Sequence, residues 1–281
     1  MVLDANRYSS SCGSVGECVV GWVVNKSQLY SMTGFSFDSF NGPGQNWQPL
    51  EYTGAEETDL FEAPDFGTPS EGTTVTRYLS GPQGGETWFT ENWTIANDPG
   101  VNFTAPQPGS SITLNGDSNE FESAAWTYDT LWVTGNYECP NTSQLCPLFV
   151  VFDAAQDGQP IGLDADFAVR MSDGSNLFYP ALATTINTES VLGVVDYTCS
   201  GCPHYASSGT FQLNPSGSYQ GGAYQNGNSV IPGDYEGNEH RWGDVNGCSY
   251  VPNSSPARVT CVGEFALNSA SASEVYTVSY S

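Results

Sequence analysis

The chain has 281 residues, enough for one large β domain or two ordinary ones. Its formal net charge is −25, from 31 Asp and Glu against only 6 Lys and Arg. An average soluble chain of this length carries about 30 of each sign, so bases are missing rather than acids added. Nucleic acid and anionic lipid are therefore excluded as partners, because phosphate binding needs clustered Lys and Arg, whereas cations remain compatible.

Taken from the N-terminus, "MVLDANRYSS" lacks the charged and apolar regions of a signal peptide, so the chain is expected to begin at a trimmed start. No apolar run is long enough for a membrane-spanning helix, and no membrane insertion is expected. Short runs rich in Val, Tyr, Phe, Trp and Thr then follow, each bounded by Asn, Gly, Asp, Ser or Pro. They are "ECVVGWVV" (17–24), "TWFTENWTI" (87–95), "TLWVTGNY" (130–137), "PLFVVF" (147–152), "VLGVVDY" (191–197), "RVTCVGEF" (258–265) and "EVYTVSY" (274–280). With 31 Gly and 17 Pro spread throughout and no apolar stripe of period 3.6, the chain reads as all-β. No shift in composition marks a boundary, so residues 1–281 are expected to form a single domain.

Eight cysteines fall into four close pairs, Cys12 with Cys18, Cys139 with Cys146, Cys199 with Cys202 and Cys248 with Cys261. Even number and proximity predict four short-loop disulfides and an oxidising compartment, hence a secreted or periplasmic protein. Metal or redox chemistry at "CSGC" (199–202) is the alternative, but no second ligand pair of similar spacing accompanies it.

Three segments share one plan: 121–137, 178–197 and 240–265. An aromatic-led strand enters a polar turn, and a second strand ends in a polar residue followed by an aromatic one. The leading aromatics are Trp126, Phe178 and Trp242; the closing pairs are Asn136-Tyr137, Asp196-Tyr197 and Glu264-Phe265. Trp88 and Trp47 extend the series upstream. Several short strands per period of roughly 40–60 residues is the pattern of propeller blades, so a β-propeller of about five four-stranded blades is expected. A β-sandwich is the alternative.

"RWGDVNGCSYVP" (241–252) resembles the "RWGDYSG…DP" signature in the last blade of secreted bacterial sialidase-like β-propeller proteins of the BNR-repeat superfamily. "NLFYPALATTINTESVLGVVDYTC" (176–199) is similar to their "YPAIA…VVIGYS" blade, and "VVNKSQL" (23–29) to their "VLNKSDL" segment. The chain departs from the pattern at Val245-Asn246 and Val251-Pro252, and its Asp-boxes, "GPQGGETW" and "SDGSNLF", are degraded. The resemblance implies a sialidase-like propeller and a carbohydrate ligand. A classical sialidase site is not expected, because none of the five arginines stands in a sialidase arginine context.

Asp196, Asp244 and Glu264 occupy repeat-equivalent or neighbouring positions and are the candidate catalytic carboxyls if the protein is a glycoside hydrolase, which needs two such groups across the scissile bond. His240, Arg241, Trp242 and Asp244 are the candidate ligand-binding residues. Arg241 and Asp244 are expected to form an ion pair, with Trp242 packed between blades. Asp234, Glu236 and Asn238 alternate as the first ligands of a calcium loop do, although the glycine and the twelfth-position Glu of an EF-hand are missing. His204 and His240 show no spacing that would bring them together. No cofactor is required. The leading expectation is an extracellular binding or surface-associated module for carbohydrate. Glycoside hydrolysis and a structural, self-assembling subunit are the alternatives.

Overall fold

A computed structural model describes the backbone of residues 2–8, 17–24, 37–41, 48–53, 58–63, 73–80 and 86–93. It further describes 104–116, 121–127, 130–139, 142–153, 162–184, 189–232, 239–242, 246–251 and 254–279, with side chains for most residues from Thr104 onward. Among the described residues there is no helix, and every sheet but one is a purely antiparallel meander. The all-β expectation is met.

The chain divides into two compact units, Met1–Ala96 with Ala155–Gly162, and Asn97–Ala154 with Leu163–Ser281. The first holds β1 (Val2–Tyr8), β2 (Glu17–Val24) and β3 (Phe37–Asn41) in one sheet. It also holds β4 (Gln48–Thr53), β5 (Thr58–Ala63), β6 (Thr73–Ser80) and β7 (Glu86–Trp93) in another.

The second unit carries the candidate site. Strands β8 (Thr104–Pro106) and β9 (Thr113–Asn115) form a hairpin. Next come the four-stranded meanders β10 (Phe121–Thr127), β11 (Thr130–Glu138), β12 (Leu145–Asp153), β13 (Gly162–Ala168) and β14 (Asn176–Ala183), β15 (Val191–Cys199), β16 (His204–Leu213), β17 (Tyr219–Gly227). The short β18 (Glu239–Arg241) joins β9 in parallel, pairing His240 with Leu114. Strands β19 (Gly247–Val251), β20 (Arg258–Leu267) and β21 (Ala270–Ser279) close the chain. Among the described residues three sheets have four strands and three have three. The tripeptides of β9 and β18, "TLN" and "EHR", are too short and polar to announce themselves.

Strands β14 and β15 are buried at every position, whereas β17 is almost wholly exposed. A strand covered on both faces must be apolar on both, which is why "VLGVVDY" reads as a run and not as an alternation. One face of this sheet packs Val191, Val195, Tyr197 and Phe211 against Trp132, Phe149 and Val151 of the preceding meander. The other face packs Leu192 and Val194 against Val259, Cys261 and Tyr276 of the last sheet. Within this sheet position 193 must be glycine, since an added Cβ would strike the Phe211 ring and the Ala181 carbonyl of the flanking strands. The β20–β21 hairpin turns at Asn268 and Ser269, both at positive φ (53° and 62°), the twist that matches antiparallel strands.

Three of the four predicted disulfides are present: Cys139–Cys146, Cys199–Cys202 and Cys248–Cys261. The fourth, predicted between Cys12 and Cys18, falls outside the described residues. Cys18 has its backbone in β2, in register with Arg7 of β1. The side chain of Cys18 and the whole of Cys12 lie outside the described residues, so this bridge stays an expectation from chain proximity alone.

Candidate functional site

The repeat seen in the sequence becomes a structural equivalence. Asn136, Asp196 and Glu264 sit on β11, β15 and β20, each the second strand of its sheet, and all three are buried. A polar side chain at such a place must find partners in the neighbouring sheet. Asn136 does so completely: its Oδ1 accepts from the Tyr179 N–H at 2.6 Å, and its Nδ2 donates to the Gly116 carbonyl at 2.6 Å and to Glu122 Oε1 at 3.2 Å. Tyr179 needs that grip, because it stands at positive φ (52°) inside the Phe178/Ala181 bulge of β14.

The same network continues through the next sheet. The Tyr179 carbonyl accepts from Asn246 Nδ2 at 2.8 Å, and Asp196 Oδ2 accepts from Trp242 Nε1 at 3.0 Å. Trp242, 2% exposed, packs among Ala105, Leu114, Leu145, Phe178, Ile231 and Ala266, so its expected place between sheets is met. It does not lead a strand as expected but follows β18.

Asp196 has no exposed surface and Glu264 retains 9%, so Asp196 does not line an open channel. Desolvation pushes the Asp196 carboxyl well above the usual range. The polar groups of Asn246, Trp242 and the Glu264 backbone pull the other way, while the Glu264 carboxylate adds to the rise. Two buried oxygens here lack any hydrogen-bond partner, Asp196 Oδ1 and Asn246 Oδ1. Asn246 cannot be turned over without setting its oxygen against the Tyr179 carbonyl.

Of the other sequence candidates, His240 and Arg241 have their backbone in β18, but their side chains lie outside the described residues, as do Asp244 and the calcium-loop residues Asp234, Glu236 and Asn238. Asn246 and Tyr179 were missed as site residues. Their only sequence signal is that they fall in the "RWGDVNG" and "FYPALA" stretches.

A second feature was not anticipated at all. An open cleft of about 540 Å³ lies between β13 with its following residues and the β16–β17 turn. Phe167, Asp166, Arg170, Ser216 and Tyr219 line it. Phe167 is anchored by Trp132 (edge-on, 6.2 Å) and Phe149 (stacked, 5.8 Å), and Tyr219, 51% exposed as a residue, stacks on Phe211. The cleft offers an aromatic wall, a carboxylate, a guanidinium and a hydroxyl to solvent.

Comparison with known proteins gives little beyond this. No family model matches the chain, and no curated protein does. Among solved structures, the chain is similar to an α-L-arabinofuranosidase from Fusarium graminearum, in complex with an iminosugar inhibitor. The identity is 10% and the TM-score 0.36, over 99% of this chain and 97% of that one. It is also similar to a Penicillium chrysogenum α-L-arabinanase complexed with arabinobiose, at 10% identity and TM-score 0.33 over 99% and 93%. At these TM-scores neither likeness transfers a residue role or an activity. What the chain does has to be argued from its own side chains.

Proposed function

We propose that the protein is a secreted β-propeller, one domain over residues 1–281, that binds carbohydrate in the cleft beside Tyr219. The half-exposed Tyr219 ring next to Arg170 and Asp166 carries this reading. A sugar presents an apolar C–H face and a rim of hydroxyls, which an aromatic ring and flanking charged hydrogen-bonding groups recognise together. The scarcity of bases fits a neutral glycan, because an anionic one would be repelled by the net charge of −25. The disulfides fit an extracellular setting.

Glycoside hydrolysis is a second reading, for which Asp196 and Glu264 are the neighbouring carboxyls. Burial raises Asp196 and leaves it no exposed surface, so this reading needs substrate to uncover it. Both readings are tested on one preparation, with a glycan array and a panel of chromogenic glycosides. Binding without turnover supports the cleft as a binding site. Turnover abolished by Asp196→Asn moves the function to the carboxyl pair, and neither binding nor turnover ends both readings.

A further inference from the structure

The turn that joins β15 to β16 carries Cys199 and Cys202, and His204 opens β16 directly opposite Cys199 in the register. The loop entering β14 brings Asp173 to the same spot, where its Oδ2 stands 3.3 Å from His204 Nε2. His204 Nε2, Asp173 Oδ2 and Cys202 Sγ all lie within 4.8 Å of one another. Asp173 is held in place from behind, since its Oδ1 accepts from the Ser175 N–H at 3.0 Å and leaves Oδ2 free to face the imidazole. The Tyr197 ring stands edge-on to His204 at 5.6 Å and fixes the imidazole plane.

The spacing has a second meaning besides an ion pair. A tetrahedral ion with metal–nitrogen and metal–oxygen bonds of about 2.0–2.1 Å holds those two atoms about 3.3–3.4 Å apart. His204 and Asp173 already form such an edge, and a Cys-x-x-Cys pair spans the opposite edge of zinc sites. We infer that reduction of the Cys199–Cys202 disulfide opens a tetrahedral site for a zinc-class divalent ion, ligated by Cys199 Sγ, Cys202 Sγ, His204 Nε2 and Asp173 Oδ2. This site is independent of the glycan cleft.

The chemistry balances through a thiol reductant. Two reductant thiols supply two electrons and two protons, the protein disulfide becomes two thiols, and the reductant becomes a disulfide. Metal binding then sends both thiol protons to solvent, leaving a divalent ion held by two thiolates, one carboxylate and a neutral imidazole. Disulfide and ion compete for the same two sulfurs, so each excludes the other. His204 and Asp173 are both about one-third exposed, which gives the ion an entry path.

The test uses the full chain, oxidised and thiol-reduced, titrated with cobalt(II) alone and then displaced with zinc(II). The reduced chain is expected to take up one tight equivalent with an intense sulfur-to-cobalt charge-transfer band, and the oxidised chain none. Cys199→Ser with Cys202→Ser should abolish that equivalent, whereas Cys139→Ser with Cys146→Ser should keep it. His204→Gln and Asp173→Asn, both on the surface, should each weaken binding at least about tenfold. Uptake unchanged by the Cys199/Cys202 double variant or by both surface variants overturns the inference, as does a reduced chain that takes up no ion.

Discussion

Asp196→Asn tests the buried proton. In the wild type, Asp196 Oδ2 accepts from Trp242 Nε1, while Asp196 Oδ1 and Asn246 Oδ1 are each buried without a hydrogen-bond partner. An asparagine has the same shape and keeps the Trp242 bond through its oxygen, so packing and that hydrogen bond are both retained. What it removes is the titration. Because the folded carboxyl is raised, the native state keeps a proton that the unfolded chain has released. The stability this proton confers is therefore full below about pH 4, the unfolded value, and declines as pH rises toward the folded value. The decline is about 1.4 kcal/mol for each pH unit in that window. Denaturant unfolding with disulfides intact, repeated at half-unit steps upward from about pH 4, should show the variant gaining on the wild type along this slope. Parallel stability curves, or a variant that loses ground as pH rises, would refute the buried acid.

Three further outcomes follow from the same contacts. Asn136→Ala strands the Tyr179 N–H and the Gly116 carbonyl and should lower unfolding free energy by about 2–5 kcal/mol, read from the urea midpoint. Gly193→Ala drives a methyl group into Phe211 and the Ala181 carbonyl; a loss of about 1–3 kcal/mol or failure to fold is expected, and an unchanged melting temperature would contradict the packing. Ser269→Gly relieves a left-handed non-glycine residue in the β20–β21 turn and should raise stability by about 1 kcal/mol in the same assay.

How much of this was legible in the sequence depends on distance along the chain. Asn136, Asp196 and Glu264 could be aligned beforehand because each is a polar residue that follows an apolar run and precedes an aromatic one, a local signal within its strand. The three observed disulfides join cysteines 3 to 13 residues apart, close enough for chain proximity to decide the pairing. For Cys18 the same proximity to Cys12 was the whole argument, and no described sulfur contact adds to it. The indole of Trp242 reaching Asp196 across 46 residues has no such signal, and neither has Asn246. His204 looked like an ordinary surface histidine because Asp173 arrives from a separate loop. The cleft was invisible for the same reason. Phe167 sits in "DADFAVR" and Tyr219 in an edge strand, and only the packing of two sheets side by side puts them around one space. The pairing of β18 with β9 was hidden for a different reason, since three residues of parallel strand carry no periodicity to read.

The central claim is that glycan is held at the cleft and not at the carboxyl pair. Its most direct test is a binding isotherm for the best array glycan, measured on wild type, Tyr219→Ala and Asp196→Asn side by side. The cleft account predicts roughly a tenfold loss for Tyr219→Ala, in keeping with one aromatic stacking contact, and wild-type affinity for Asp196→Asn. Unchanged binding by Tyr219→Ala together with a loss in Asp196→Asn would contradict it.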